Sequence, residues 1–376
     1  MNKRKTDQLQ FFRFSAIFWV FNFHALIHNV GDLVPDYNRW FSIGLSGVVF
    51  FFILSGFISG YYSYEKDITV TFSGIVSYVK QKLKKLYPLY LAVTLYSVIF
   101  SEIPELIATR SWGALKYPLM LLGRHLLLLQ SWMKIFPGEY FRFSEVGWFL
   151  STLLLMHILN LPMRALATRI RKKKNSTVIF AIICIASAAA SILWCYLARG
   201  MDIEFWACTV PFSRLGEYVC GMALGYALYP IVGRIEDNKK NRIVFTILEV
   251  IAIAAWLMWG RLGYPEWAQR IANWFVPNII LLTVFTPGAG YVSSLLRLKP
   301  LKALGDKSFN FYLIHSMVIN TYLAATGYDP AVTATKFSYL FCFGISLLIS
   351  FLIGEDGRRH ASSQASNRSV QGPSPQ

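Results

Sequence analysis

The sequence has 376 residues, of which 55% are hydrophobic and only 15% are charged. Soluble domains carry about a quarter charged residues, so this composition excludes an ordinary soluble domain and favours a polytopic membrane protein. The net charge of +17 would suit a nucleic-acid-binding protein, but the basic residues lie in short segments between apolar runs, as membrane topology signals do. We therefore expect membrane lipids, and no nucleic acid, among the partners of the chain.

Ten apolar runs are long enough to cross a bilayer, because a spanning helix needs about 20 apolar residues for a hydrocarbon core about 30 Å thick. In chain order they occupy residues 9–28, 43–62, 86–103, 146–163, 176–197, 212–231, 243–260, 273–290, 309–326 and 335–354. The first run is not a cleavable signal, since Arg13 interrupts it and no small-residue cleavage site follows. The sequence predicts an all-α fold: a polytopic transmembrane helical bundle of about ten spans in one domain, residues 1–354.

The distribution of Lys and Arg predicts the orientation of this bundle. With the N-terminus inside, the cytoplasmic segments hold 25 of the 37 Lys and Arg residues and the outer loops hold 9, as the positive-inside rule requires. The hydrophobic piece 114–130 is interrupted by Lys116, Pro118 and Arg124, and we interpret it as re-entrant or interfacial. Both termini are then cytoplasmic, and residues 355–376, rich in Ser, Gln and Pro, are predicted to form a disordered tail.

Ionisable side chains inside a bilayer are costly, so each one in a predicted span is a candidate functional residue. In the first span, Arg13 and His24 are eleven residues apart, which leaves an offset of about 20° after three turns. Both side chains therefore point the same way, about 16 Å apart along the axis, with Arg13 near the cytoplasmic end. The alternative is a snorkelling arginine and a hydrogen-bonded core histidine, and periodicity alone does not separate the two interpretations.

Two later spans carry further ionisable groups. Arg214 and Glu217 share a helix face at i,i+3, so they form a structural pair or take part in catalysis. His315 lies about two turns from the cytoplasmic end of the ninth span, and a helix histidine alone is more often structural. His28, close to the outer boundary, suits an interfacial residue. The five cysteines lie in or beside apolar runs without metal-ligand spacing, so we expect buried thiols and no metal site.

Five segments, in order along the chain, resemble motifs of the acyltransferase-3 family of integral-membrane O-acyltransferases. They are Gln10-Phe-Phe-Arg13 leading to Phe23-His24-Ala25, the stretch 47–57, the basic stretch 82–85 followed by Tyr87-Pro-Leu-Tyr90, Pro211-Phe-Ser-Arg214-Leu-Gly-Glu217, and Tyr312-Leu-Ile-His315. The resemblance runs from about residue 8 to residue 353. In the fourth helix it departs from the family, because many members have Trp-Ser-Leu followed two residues later by Glu. This chain has Trp148-Phe-Leu-Ser151-Thr-Leu there, without an acidic residue.

The resemblance implies an enzyme that moves an acyl group, most often acetyl, from cytoplasmic acyl-CoA to a hydroxyl of a surface carbohydrate or its lipid-linked precursor. Acyl-CoA is then a co-substrate, no cofactor is bound permanently, and the location is a cell membrane, the plasma or inner membrane of a bacterium. A transporter or flippase for a lipid-linked sugar is the alternative, because it too would use intramembrane charges and a polar path. A non-catalytic membrane scaffold would leave Arg13 and His24 unexplained.

Depth along the predicted spans sorts the candidate residues into two groups. The residues predicted to bind the acyl donor, with basic side chains meeting the CoA phosphates, lie towards the cytoplasmic side: Arg13, Lys82, Lys84, Lys85, Tyr87 and His315. The residues predicted to face the acceptor lie in the outer half: Trp148, Ser151 and Arg214. His24 is the predicted general base for the acceptor hydroxyl, since an unperturbed imidazole titrates near neutral pH. Glu217 is its predicted orienting partner.

Overall fold

The computed structural model describes residues 6–31, 44–104, 107, 116–262, 264–269 and 271–353. In these residues the chain forms helices joined by turns and contains no strand, which confirms the all-α prediction. The helices are α1 (Leu9–Ile27), α2 (Leu45–Tyr61), α3 (Phe72–Ser97), α4 (Lys116–Leu126), α5 (Trp148–Arg171), α6 (Ser176–Leu197), α7 (Leu215–Val232), α8 (Lys239–Trp259), α9 (Glu266–Gln269), α10 (Phe275–Phe285), α11 (Tyr291–Leu296), α12 (Lys299–Ala325), α13 (Pro330–Thr333) and α14 (Lys336–Leu352). The predicted tail 355–376 lies outside the described residues.

Five helical segments of the described chain are long and apolar enough to cross a membrane. They are Phe72–Glu102, Trp148–Arg171, Ser176–Gly200, Pro211–Val232 and Lys239–Trp259. Shorter apolar helices cover Leu45–Tyr61, Ala272–Phe285 and Lys336–Leu352. Each of the ten predicted spans overlaps one helix, while the number of membrane crossings stays a prediction.

Several helices extend beyond the apolar runs that predicted them. Helix α3 begins at Phe72, fourteen residues before the predicted start at residue 86, and α12 begins at Lys299, ten residues before residue 309. Helix α5 continues to Arg171, eight residues past residue 163. Hydropathy marks only the part of a helix that suits hydrocarbon, whereas backbone hydrogen bonding continues through charged turns at the membrane surface. For residues on these helices, the distance from the helix end is therefore larger than the boundary of the apolar run predicts.

The turns between helices fall at two opposite ends of the bundle. At one end, which we call the basic end, Lys302 Nζ lies 3.2 Å from Asp7 and Arg171 Nη2 lies 2.8 Å from Asp67. We call the other end the histidine end. There His28, the residue directly after α1, contacts the segment that leads into α5. The basic end is the one predicted to be cytoplasmic, and that orientation stays a prediction.

Helices α2 and α7 form the tightest contact of the bundle. Gly56 and Gly60 of α2 meet Gly221 and Gly225 of α7, and a Cβ atom added at Gly56 would lie 1.9 Å from the carbonyl oxygen of Tyr218. Small residues at this spacing let two membrane helices approach until their backbones touch. The pair forms one wall of the cavity described below.

The segment predicted to be re-entrant or interfacial contains α4, a helix of 11 residues. At about 1.5 Å per residue it is about 16 Å long, too short to cross a hydrocarbon core. It is fixed to α3 at the histidine end, because the Tyr87 hydroxyl donates to the Leu126 carbonyl at 2.7 Å and the Tyr90 hydroxyl donates to the His125 carbonyl at 3.0 Å. The interpretation of 114–130 as re-entrant or interfacial stays a prediction.

Cysteine labelling tests the orientation. The five native cysteines are all buried and form no disulfide, and they are replaced first. A cysteine at position 172 should then react with a membrane-impermeant maleimide only after permeabilisation, because the basic end is predicted to be cytoplasmic. A cysteine at Met133, a residue 66% exposed in the segment before α5, is the matched control and should react in intact cells. Labelling of position 172 in intact cells contradicts the ten-span topology.

Candidate active site

A carboxylate and two histidines meet at the histidine end. His24 Nδ1 lies 3.2 Å from Glu145 Oε1, and His28 Nε2 lies 3.0 Å and 3.1 Å from the two carboxylate oxygens. The Ser316 hydroxyl of α12 donates to Glu145 Oε2 at 2.7 Å. Glu145 stands three residues before Trp148, the first residue of α5, so one side chain holds α1 and α12 together. Sequence reasoning missed Glu145.

The charge of Glu145 follows from its neighbours. Burial would raise the pKa of the Glu145 carboxyl, but His24 and His28 lower that pKa below its ordinary value. The side chain is therefore a carboxylate at neutral pH. A carboxylate beside Nδ1 favours the tautomer with the proton on Nδ1, which leaves Nε2 of His24 to accept a proton.

His315 lies beside His24, at the histidine end, and its predicted role in donor binding stays a prediction. Its ring centroid lies 5.0 Å from that of His24, and its side chain is completely buried. Its Nδ1 lies 3.2 Å from the Phe311 carbonyl oxygen. The reason is the early start of α12: from Lys299 to His315 the helix rises about 24 Å, far above the two turns expected from the apolar run.

Arg214 and Glu217, predicted for the outer half, are fully buried against each other. Arg214 Nη1 donates to Glu217 Oε1, and Arg214 Nε donates to the Cys208 carbonyl at 2.7 Å. The guanidinium carbon lies 5.8 Å from the ring centroid of Trp148. The structure thus places Glu145, and not Glu217, beside His24. A catalytic role for Glu217 and an acceptor role for Arg214 and Trp148 stay predictions.

Ser151 is also buried, and its hydroxyl has two partners. It donates to the Leu128 carbonyl at 2.7 Å and accepts from the Ser131 amide at 3.3 Å. These bonds fix the turn after α4 onto α5. Ser151 therefore anchors this turn, and its predicted contact with the acyl acceptor stays a prediction.

A cavity of about 510 Å³ opens at the basic end of the bundle. Five cationic side chains are among its lining residues: Arg13, Lys66, Lys82, Lys85 and Arg164. Lys82 and Lys85 are three residues apart on α3 and so share a face. Lys84 is exposed and does not line the cavity, and Tyr87 points to α4. Of the predicted donor residues, the structure therefore brings together Arg13, Lys82 and Lys85.

The inner end of the cavity is apolar and stops beside the histidines. Phe149 and Tyr312 both line it, with ring centroids 5.3 Å apart. The Tyr312 ring lies 6.0 Å from that of His315, which contacts His24. The Tyr312 hydroxyl donates to the carbonyl of Val146 at 3.0 Å, one residue after Glu145. The rings of Tyr312 and His315 therefore lie between the apolar end of the cavity and His24.

The same residues have the composition of a metal site. His24, His28 and Glu145 place three ligand atoms within 4.8 Å of one another, a donor set that divalent metals accept. The same groups also contact one another directly: the two histidine rings lie 3.0–3.2 Å from the Glu145 carboxylate, so they have partners without a metal ion. The expectation that no metal takes part remains a prediction.

The described residues combine helices that are long and apolar enough to cross a membrane with a histidine–carboxylate pair suited to proton transfer. The profile of the acyltransferase-3 family, described as an acyltransferase domain, matches residues 7–355, and the chain belongs to this family. It is similar to acyltransferase MdmB of Streptomyces mycarofaciens, with 27% identity over 289 residues, 74% of this chain and 69% of that protein. No solved structure matches the chain. The protein is a membrane acyltransferase, which decides against the transporter and the scaffold.

Proposed function

We propose that this acyltransferase moves an acyl group, in particular acetyl, from cytoplasmic acyl-CoA to a hydroxyl of a cell-surface carbohydrate or its lipid-linked precursor, in a bacterial cell membrane. One observation carries the proposal: the cavity begins among cationic side chains and ends at Phe149 and Tyr312, and the Tyr312 ring lies 6.0 Å from that of His315, which contacts His24. CoA has the same polarity, with phosphates at one end and a thioester at the end of a narrow arm.

The basic lining supports an anionic donor. Arg13 is the cationic lining residue that lies within the first apolar run. Its guanidinium group suits this role, because guanidinium groups bind phosphates through paired hydrogen bonds. Asp7, also on the lining, is neutralised by Lys302 at 3.2 Å. About 16 Å separate Arg13 from His24 along α1, a distance that an extended pantetheine arm covers.

The proposed reaction needs a base at the histidine end. Nε2 of His24 takes the proton of the acceptor hydroxyl while its oxygen forms a bond to the thioester carbonyl carbon. The tetrahedral adduct then breaks its carbon–sulfur bond, and the CoA sulfur leaves with the proton returned by the imidazolium. Glu145 holds the ring and stabilises the imidazolium between these two steps. The acceptor enters from the side of His28, whose side chain is 26% exposed.

Transfer of label from acetyl-CoA tests the proposal. Membranes that contain the protein should incorporate radiolabelled acetyl groups into a glycan or lipid-linked fraction, and membranes with His24→Ala should not. The same assay after dialysis against a chelator should give an unchanged rate if no metal takes part. Absence of transfer from every acyl-CoA tried, at normal levels of folded protein, contradicts the proposed donor.

The cationic lining makes a separate prediction. Arg13→Ala should weaken acyl-CoA binding about 10- to 100-fold, since a hydrogen bond to a charged group contributes about 1.5–3 kcal/mol. Isothermal titration of purified protein with acyl-CoA measures this change. Higher salt should reduce the difference in acyl-CoA affinity between Arg13→Ala and the unmutated protein, because the lost interaction is partly Coulombic.

Two neighbouring lysines provide the matched control. Both side chains are exposed, but Lys85 lines the cavity and Lys84 does not. Lys85→Ala should therefore weaken acyl-CoA binding mildly, and Lys84→Ala should leave it unchanged. Equal effects of the two substitutions would mean that the charge of the surface, and not the cavity, attracts CoA. Unchanged affinity in Arg13→Ala would make Arg13 a structural residue.

A further inference from the structure

One buried histidine on the wall of the cavity has no partner within the protein. His157 of α5 lines the cavity, and only 8% of the residue is exposed. Among the described residues neither Nδ1 nor Nε2 has a hydrogen-bond partner. Both nitrogens have almost no accessible surface in this orientation of the ring. A buried polar group without a partner costs about 1–3 kcal/mol, so an unpartnered imidazole on the wall of a cavity indicates a ligand or ordered water that supplies the missing partner.

The polar neighbours of His157 are already occupied. Asn160, one turn further along α5, donates to the Ser59 hydroxyl at 2.6 Å and to the Tyr218 hydroxyl at 2.5 Å. Tyr78 of α3 presents its ring to the imidazole, with centroids 6.1 Å apart. Neither neighbour bonds the imidazole. A half-turn about χ2, which exchanges the positions of the ring carbons and nitrogens, lets a molecule in the cavity supply the missing partner.

The position of His157 along α5 places it halfway down the cavity. Phe149, at the apolar end, is eight residues before it, and Arg164, at the basic end, is seven residues after it; both line the cavity. These separations correspond to about 12 Å and about 10 Å along the helix. Spacings of seven and eight residues keep all three side chains on one face of α5.

We propose that His157 binds the outer amide of the pantetheine arm, the one between β-alanine and pantoate, and so sets the depth at which the thioester stops. The assignment rests on the proposed function, because it takes acyl-CoA as the donor. A neutral imidazole has one donor and one acceptor, as an amide has, and this amide lies near the middle of the arm. His157 is then a positioning residue that recognises the donor without taking part in proton transfer.

Three acetyl donors of decreasing length test the assignment: acetyl-CoA, S-acetyl-pantetheine and S-acetyl-N-acetylcysteamine. The last lacks the outer amide. His157→Leu should lower kcat/KM about 5- to 100-fold with acetyl-CoA and with S-acetyl-pantetheine, and should leave the value for S-acetyl-N-acetylcysteamine unchanged. His157→Gln, which keeps a donor and an acceptor, should recover part of the loss and serves as the reporting variant if His157→Leu does not fold.

The controls separate this inference from the proposed function. Ile158→Ala changes the adjacent residue on α5, which is 36% exposed, and should leave all three values unchanged. Arg13→Ala should affect acetyl-CoA and spare S-acetyl-pantetheine, which has no phosphate. An equal loss with all three donors, or no loss in either His157 variant, overturns the assignment while acetyl-CoA still serves as donor. If unmutated protein transfers from none of the donors, the proposed function itself fails.

Discussion

Replacing His24 with alanine is expected to lower acyl transfer about 10²–10⁴-fold, the usual contribution of a positioned proton acceptor. Acyl-CoA binding should be nearly unchanged, because the phosphates would bind near Arg13, about 16 Å away along α1. The measurement is turnover per folded molecule, with acyl-CoA binding determined on the same preparation. A structural histidine predicts a different result: less folded protein with normal turnover per folded molecule.

His28 provides the control for this experiment. It lies four residues after His24 on the same face, and it contacts the same carboxylate at 3.0 Å. Its side chain is also the more exposed of the two, at 26% against 11%. His28→Ala should therefore reduce turnover by less than about 10-fold, if the base must sit at the end of the cavity. Full turnover in His24→Ala, together with a large loss in His28→Ala, would transfer the role of base to His28.

Helical periodicity predicted one part of the site well. The eleven-residue spacing of Arg13 and His24 places them on one side of α1. The structure puts Arg13 on the cavity and His24 against His315, whose ring neighbours that of Tyr312 at the apolar end of the cavity. Regular geometry within one helix is enough for such an inference. The spacing of His24 and His28 by one turn was a further signal that the sequence offered, because two histidines four residues apart face the same partner.

Glu145 could not be found in this way. It precedes the first residue of α5 and so has no helical phase, and 121 residues of sequence separate it from His24. Hydropathy gives the depth of a span but not which of the outer segments folds back onto α1. The carboxylate that the fourth helix lacks in comparison with the family motif is present three residues before Trp148. An ionisable residue at the boundary of a span is the signal that would have selected it.

The predicted donor group and the lining of the cavity differ for another reason. Tyr87 and Lys84 were chosen from a basic stretch without regard to helix phase, whereas only Lys82 and Lys85 of that stretch face the cavity. His315 was placed by the boundary of an apolar run, and α12 begins ten residues before that boundary. Phase within a helix predicts the first difference from the sequence alone. The second needs the structure, because charged turns at a membrane surface remain helical without an apolar pattern.

Replacing Glu145 with glutamine is expected to reduce turnover about 10²–10⁴-fold, as for other carboxylates that fix the tautomer of a catalytic histidine. The amide can no longer stabilise the imidazolium, and it no longer favours a proton on Nδ1 of His24. Acyl-CoA binding should be unchanged, since the cationic lining lies at the basic end. Glu217→Gln is the matched control: it removes a carboxylate that bonds Arg214, and its effect should appear as less folded protein.

The pH dependence of turnover distinguishes the carboxylate from the histidine that it orients. The pKa of Glu145 is lowered below its ordinary value, so its favourable contribution is present above the ordinary carboxyl pKa and is lost only as pH falls through the lowered value. Between about pH 8 and pH 5, Glu145 therefore stays ionised, so its own protonation does not change turnover over that range. Glu145→Gln should lower turnover across the whole of that range. If the variant instead matches the unmutated protein at high pH, Glu145 does not orient His24, and Glu217 returns as the candidate partner.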